Sequence, residues 1–298
     1  MKLRPSNILG VSAGFHDAGV SLVNKRGEIL FAAHSERYSK VKNDPTLNQD
    51  IIDEALSYGE VGKLAWYETP WLKKTRQLYS GEFRKVFTDK SPKQHLRELG
   101  LTQPIEYHRH HLSHAAAGFQ TSPYDKAIVV VVDAIGEWDT YSAYRAEYDT
   151  NGIARYKRIM SQKYPHSMGL FYSAMTQRVG LKPMEEEYIL MGMAAYGHPG
   201  KYRDVYDEFV QEDHAQTWKQ NFHAGIDPEF LKDAASEDIA LAGQLVVERC
   251  LTTLMRQLAS DNQDIDDCVF MGGVALNCVA NAQIRMIWNR LWIMPNPG

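Results

Sequence analysis

The feature that most limits what this chain can fold into is the apolar run Ala127-Ile128-Val129-Val130-Val131-Val132, closed by Asp133. An unbroken run of this length, rich in β-branched residues, reads as a buried strand rather than a half-exposed one. The acid then falls at its carboxyl end, where open α/β sheets place their ligands. Just upstream lies His108-Arg109-His110-His111-Leu112-Ser113-His114, which holds four of the chain's eleven histidines. Leu112, Ala115, Ala116, Ala117 and Phe119 support a helix here. On a helix, His110 and His114 are spaced i, i+4 and share one face, about 6 Å apart at Cβ. Two neutral imidazoles at that spacing hold one divalent ion, and Asp133 is the candidate third ligand. Spacing alone does not separate this reading from an ordinary pair of helical histidines.

Around this nucleus the pattern is α/β. Ile8–Ser12, Gly19–Val23 and Glu28–His34 read as three strands joined by the turns Gly14–Ala18 and Asn24–Gly27, an antiparallel meander. Glu36–Asp44 is polar and charge-mixed, and a helix begins at Ile51 with Asp50 as its expected cap. Gly62–Tyr67 suggests another strand. Residues 69–100 are basic and aromatic, with Trp71, Tyr79, Phe83 and Phe87, and read as a peripheral insertion with a solvated face. After Asp133, a turn through Gly136 and Glu137 and the stretch Tyr141–Ala146 suggest a second hairpin, so the strand-turn-strand architecture returns without any repeat in residue identity. The second half turns helical at Met168–Val179, Tyr188–Ala195 and Ile239–Leu258. Asp267–Met271 is a second buried strand, followed by Gly272-Gly273 and a helix through Ala282, and Leu291–Met294 is a last strand. The expected division is a first lobe over 1–150 and a second over 151–298.

The chain has 298 residues, of which 44% are hydrophobic, enough for a substantial core. A net charge of -4 gives no electrostatic reason to expect a nucleic-acid partner. No apolar run approaches the roughly 20 residues that span a bilayer, and Met1–Asn7 lacks the apolar region of a signal peptide. Three cysteines, Cys250, Cys268 and Cys278, share no metal-type spacing and read as reduced thiols of a cytoplasmic protein, with Cys268 and Cys278 assigned to the core. The Gly272-Gly273 turn between a strand and a helix has the outline of a phosphate or nucleotide cradle, because glycine lets the backbone approach a ligand closely. It is not a Walker loop, since no Gly-Lys-Ser/Thr follows.

Seven stretches occur in an order that resembles a known family: Gly10–Asp17, Ser35–Asp44, His110–Ala115, Asp133–Glu137, Pro165–Tyr172, Met191–Gly197 and Gly272–Asn277. The resemblance is to the O-carbamoyltransferases of the nodulation-factor, cephamycin and tobramycin type, and it covers nearly the whole chain. It implies a two-lobed actin-like, sugar-kinase-like fold, related to ribonuclease H, with mixed sheets flanked by helices. It implies transfer of a carbamoyl group from carbamoyl-adenylate, made from carbamoyl phosphate and ATP, to a hydroxyl of a small-molecule acceptor. It implies a divalent metal, iron, on His110, His114 and Asp133. Gly136, Glu137, Gly272, Gly273 and Asn277 then approach the nucleotide, and His16, Asp17 and Lys42 serve the transfer. A further aspartate ligand and a C-terminal YrdC-like, adenylate-forming domain belong to the family pattern and lie outside these 298 residues. A fragment with an incomplete second lobe is therefore the expectation. Threonylcarbamoyl transfer to tRNA on the same fold and a non-catalytic nucleotide-binding fragment are the alternatives; the absence of a basic stripe argues against the first. Neither the acceptor nor the oligomeric state is legible in the sequence.

Overall fold

The computed structural model describes residues 7–211 and 217–298. The chain forms two compact units, Met1–Ser113 and His114–Gly298. In the first, β1 (Asn7–Ser12), β2 (Gly19–Val23) and β3 (Ile29–His34) make the antiparallel meander. After α1 (Glu36–Ser39) and α2 (Gln49–Ser57), β4 (Val61–Trp66) lies parallel to β1. Three short helices follow, α3 (Pro70–Tyr79), α4 (Phe83–Thr88) and α5 (Pro92–Glu98), and then β5 (Ile105–Tyr107), parallel to β4. The sheet order is β3-β2-β1-β4-β5. Leu9, Val11, Val20, Leu22 and Leu64 are its buried face, and Ile51, Ile52 and Ala55 of α2 belong to the same core. The cap of α2 is Asn48, whose side chain accepts the Ile51 N–H at 3.0 Å, and not Asp50. Asp50 instead sits in the first turn, where a negative charge suits the helix dipole.

The helix α6 (His110–Thr121) leads into the second unit. There β6 (Lys126–Gly136), β7 (Asp139–Tyr148) and β8 (Ala154–Lys163) form another antiparallel meander. Then come α7 (Met168–Arg178), α8 (Glu187–Met193), α9 (Tyr202–Phe209) and the long α10 (Ser236–Asp261). Strand β9 (Asp267–Met271) runs parallel to β6; after α11 (Cys278–Ile284), β10 (Arg290–Trp292) runs parallel to β9. The order β8-β7-β6-β9-β10 therefore repeats the strand order and sense of the first sheet, with β6 in the place of β1.

The first boundary expected from sequence was residue 150, which lies in the turn joining β7 to β8, two neighbours in one sheet; the compact units divide at Ser113/His114 instead. Strand β8 was not foreseen. Its sequence Ala-Arg-Tyr-Lys-Arg-Ile-Met-Ser-Gln-Lys carries no long apolar run, since none of its residues is buried. In contrast, every residue of β6 from Ala127 to Val132 is 0% exposed, as the apolar run demanded. Cys250 and Cys268 are buried, but Cys278 is exposed at the start of α11, which corrects its assignment to the core. Among the described residues no helix is long and apolar enough to cross a membrane. Residues 1–6, read for a leader, lie outside the described residues.

The larger core is aromatic at one end. Phe171 of α7 stacks on Trp218 with ring centroids 4.5 Å apart and meets Phe209 and Phe222 edge-on. Replacing Phe171 by Ala removes a fully buried ring from this stack, so Phe171→Ala should lower unfolding free energy by about 3–5 kcal/mol. Urea denaturation followed by tryptophan fluorescence measures this; a loss below about 1 kcal/mol contradicts the packing described.

Candidate metal centre and neighbouring turns

Helix α6 starts where it does because its approach is fastened to the end of β4. The His108 N–H donates to Trp66 O at 3.0 Å, and Ser113 Oγ donates to Tyr67 O at 2.9 Å. The His110 ring meets Tyr67 edge-on, 5.5 Å between centroids. Further along, Gly118 lets the helix close on β9: a Cβ there would stand 2.5 Å from Met271 Cγ. Helix periodicity then brings His110 and His114 onto one side, and Asp133 of β6 completes a group whose ligand atoms all lie within 4.8 Å of one another. His114 Nε2 is 3.3 Å from Asp133 Oδ2. All three residues are half-buried.

The donor set fits a divalent first-row metal. Bonds of about 2.0–2.1 Å place neighbouring ligand atoms roughly 3–3.5 Å apart and opposed ones about 4.2 Å apart, so small side-chain rotations close the group on one ion. Two imidazoles and one carboxylate suit ferrous iron and zinc alike. Asp133 is held in place by the main chain. Its Oδ1 accepts the Ala134 N–H at 3.2 Å and the Gly273 N–H at 3.1 Å, while Oδ2 faces His114.

Two backbone segments crowd the strand beside this carboxylate. Gly272 has φ +90°, a conformation that side chains other than hydrogen disfavour, and a Cβ there would stand 2.3 Å from Val132 O. Gly169, in the first turn of α7, would clash in the same way with Ala134, at 2.7 Å. Ser167 caps α7 by accepting the Leu170 N–H at 3.0 Å and donates its own hydroxyl to Ala134 O at 2.7 Å. Neither Ser167 nor Gly169 stood out as a site residue in the sequence. The available signal was Ser167 as a helix cap directly before the apolar Met168–Phe171.

Gly136 and Glu137, expected beside the nucleotide, form the turn between β6 and β7, with Glu137 at φ +59° and 6% exposed. Gly273 is exposed and Gly272 buried. Asn277 is buried. It exchanges a reciprocal amide pair with Gln244 of α10, Nδ2 donating to Oε1 at 2.9 Å and Gln244 Nε2 donating to Asn277 Oδ1 at 3.0 Å. The same Oδ1 accepts the Ala280 N–H and so caps α11, and Tyr172 Oη donates to Gln244 Oε1 at 2.7 Å. Its side chain supports the turn through these bonds.

In the first unit, His16 and Asp17 sit on the β1–β2 turn, with His16 Nδ1 2.8 Å from Asp17 Oδ2. The turn is tied to the loop that carries Lys42: Gly14 N–H donates to Pro45 O at 2.8 Å and Ala18 N–H to Asp44 O at 2.7 Å. The hydrogen bond from His16, and then the charges of His16, His34 and Lys42, hold the Asp17 carboxyl below the usual carboxylate range. His34, which the sequence reading passed over, stands opposite Gly19 across β2 and β3.

The family profile described as "Carbamoyltransferase N-terminus" matches residues 73–298. The chain belongs to this carbamoyltransferase family. An uncharacterized protein of Synechocystis sp. is 31% identical over 345 residues, spanning 98% of this chain and 55% of that protein. Nodulation protein NolNO of Sinorhizobium fredii is 24% identical over 97% of this chain and 45% of its own length. The chain thus spans about half the length of the curated relatives it matches. Among solved structures, the activator of 2-hydroxyisocaproyl-CoA dehydratase from Clostridium difficile with bound ADPNP matches with a TM-score of 0.51 at 11% identity, over 98% of this chain and 89% of the activator. That likeness concerns the fold alone, and the repeated mixed sheets flanked by helices give this chain the α/β, actin-like fold expected from its sequence.

Two outcomes follow for measurement. Titrated with Co2+ as a probe, the chain should take up one ion, and His110→Ala or His114→Ala should each weaken binding by more than about 100-fold, beyond what loss of an outer partner costs; unchanged stoichiometry and affinity in both variants excludes the centre. Separately, a carboxyl held low in the folded state stabilises it above its ordinary pKa near 4, and that contribution is lost as pH falls. Asp17→Asn should therefore destabilise the chain at neutral pH, and the gap to wild type should close in acid. A gap that stays constant from neutral pH into acid contradicts the His16–Asp17 pairing.

Proposed function

We propose that this chain carries carbamoyl transfer from carbamoyl-adenylate, formed from carbamoyl phosphate and ATP, to a hydroxyl of a small-molecule acceptor. The observation that carries the reading is the convergence of His110, His114 and Asp133 beside the Gly272-Gly273 turn, in a chain of the carbamoyltransferase family. His110, His114 and Asp133 would hold the metal, iron in this reading. Bound there, the ion supplies Lewis-acid stabilisation of phosphate charge. Gly136, Glu137, Gly272 and Gly273 would line the nucleotide, and Asn277 supports the turn that presents Gly273.

The acceptor chemistry falls to the first unit. An ionised Asp17 fixes the proton of His16 on Nδ1, which makes Nε2 the basic nitrogen. The acceptor hydroxyl oxygen attacks the carbamoyl carbon, its proton passes to His16 Nε2, and the bond from that carbon to the adenylate phosphate oxygen breaks, releasing AMP. The Lys42 ammonium offsets negative charge on the carbamoyl oxygen as it develops. The pairing of His16 with Asp17 orients the ring without taking part in bond making, as an acid does behind a catalytic imidazole.

The test supplies radiolabelled carbamoyl-adenylate to the chain with a panel of polyhydroxylated acceptors and counts label in acid-stable carbamate. Transfer that falls at least about 100-fold in His16→Ala supports the assignment. Absence of transfer to every acceptor, with no binding of a non-hydrolysable ATP analogue by calorimetry, removes it.

A further inference from the structure

Asp133 has two oxygens with different neighbours, and the difference is built by backbone. Oδ2 faces His114 Nε2 at 3.3 Å. Oδ1 takes two main-chain N–H groups, from Ala134 at 3.2 Å and from Gly273 at 3.1 Å. The second donor comes from 140 residues away in sequence. Gly273 is the first residue of a short 3-10 turn, Gly273–Leu276, so its N–H has no partner within that turn and points outward. Its position is fixed from behind. The Gly272 N–H donates to Pro297 O at 2.8 Å, and the backbone of Gly272 lies so close to Val132 that a Cβ would not fit. At the far end of the turn, Asn277 is pinned by Gln244 and Asn281 Nδ2 donates to Ala275 O at 2.8 Å.

We infer that the Gly273 amide is a positioning group for the metal centre: it occupies Asp133 Oδ1 so that the carboxylate offers Oδ2 alone, as a monodentate ligand, to an ion held with His110 and His114. The inference rests on the metal reading above and goes beyond it, because it assigns a main-chain group in the Gly-Gly turn to the ligand's second oxygen. Groups that hydrogen-bond a ligating carboxylate fix its orientation and tune its donor strength. Two N–H donors on Oδ1 also make chelation by both oxygens unfavourable, since it would leave both amides without their acceptor. A further consequence is reciprocity. Any ligand that draws the Gly273 N–H away from Asp133 changes metal affinity, and the metal changes that ligand's affinity by the same factor.

The experiment uses metal alone and needs neither nucleotide nor carbamoyl donor. Gly273→Pro deletes the donor at the first position of its turn, where proline's backbone angle is tolerated, while Gly273→Ala keeps the N–H and shares with proline the Cβ that would stand 3.2 Å from Asp133 Oδ1. Co2+ titration followed by its visible absorption should show affinity falling about 10- to 100-fold in Gly273→Pro relative to Gly273→Ala, which carries the same Cβ but keeps the N–H. Circular dichroism melting of both variants reports whether they fold. A second measurement needs no variant: in wild-type chain labelled with 15N-glycine, Zn2+ should shift the Gly273 amide proton and slow its exchange with solvent. Equal Co2+ affinity in folded Gly273→Pro and Gly273→Ala, or a Gly273 amide untouched by Zn2+, overturns the inference while leaving the metal centre standing. If wild type binds neither ion, the metal reading fails and the inference with it.

Discussion

The burial of β6 on every side is the constraint on which the second unit depends. Its residues Ala127–Val132 are wholly excluded from water, with β7 on one edge and β9 on the other. A strand so placed must satisfy all its backbone groups with neighbouring strands, because no water reaches them. That fixes its register on both sides and leaves no freedom to slide. Asp133 follows directly on the last of these residues, where the register breaks before Gly136. The same packing that forbids a charge one residue earlier thus sets one charge at a defined place, and the His110, His114 and Asp133 group takes its rigidity from the sheet.

The surrounding turns approach through backbone rather than through side chains. Gly118, Gly169 and Gly272 each stand where a methyl group would overlap Met271, Ala134 or Val132. Helix α7 and the turn after β9 therefore meet the end of β6, and helix α6 meets β9, at distances that leave no room for a Cβ. Side chains supply the second layer of restraint. Ser167 ties α7 to Ala134, and the Tyr172–Gln244–Asn277 network ties α7, α10 and α11 together inside the core. Unsatisfied, those buried amides would be costly; paired, they specify one arrangement.

Much of this was legible in the sequence, for reasons that differ from element to element. The apolar run announced β6, and the histidine spacing announced the shared face of α6, because both signals are periodic and local. The meander of the first sheet was legible through its turn residues. The family and the α/β fold were legible through the order of seven short motifs. What was hidden is what depends on partners distant in the chain. β8 carries charge on nearly every exposed position, so its pattern reads as solvent-facing loop. The inward turn of Asn277 depends on Gln244, more than thirty residues earlier on another helix. The Gly273 N–H finds its acceptor on Asp133, 140 residues away, and no local pattern records that bond.

The matched strand order of the two sheets has a consequence for how the chain comes together. In each sheet the first three strands are neighbours in sequence and pair through short turns, whereas the fourth returns from far away. Ile128 meets Cys268 across the β6–β9 pair, and that closure waits for everything between them. Pairings over such separations form late, since the chain entropy of a long loop is lost before contacts offset it. The three candidate metal donors all come from the single stretch His110–Asp133, ahead of that closure; the Gly273 amide that hydrogen-bonds one of them arrives with the later strands. During synthesis the second unit therefore spends its longest interval as an open meander with the donor residues already made, and the exposed edge of β6 is the surface on which a misplaced strand would do most harm.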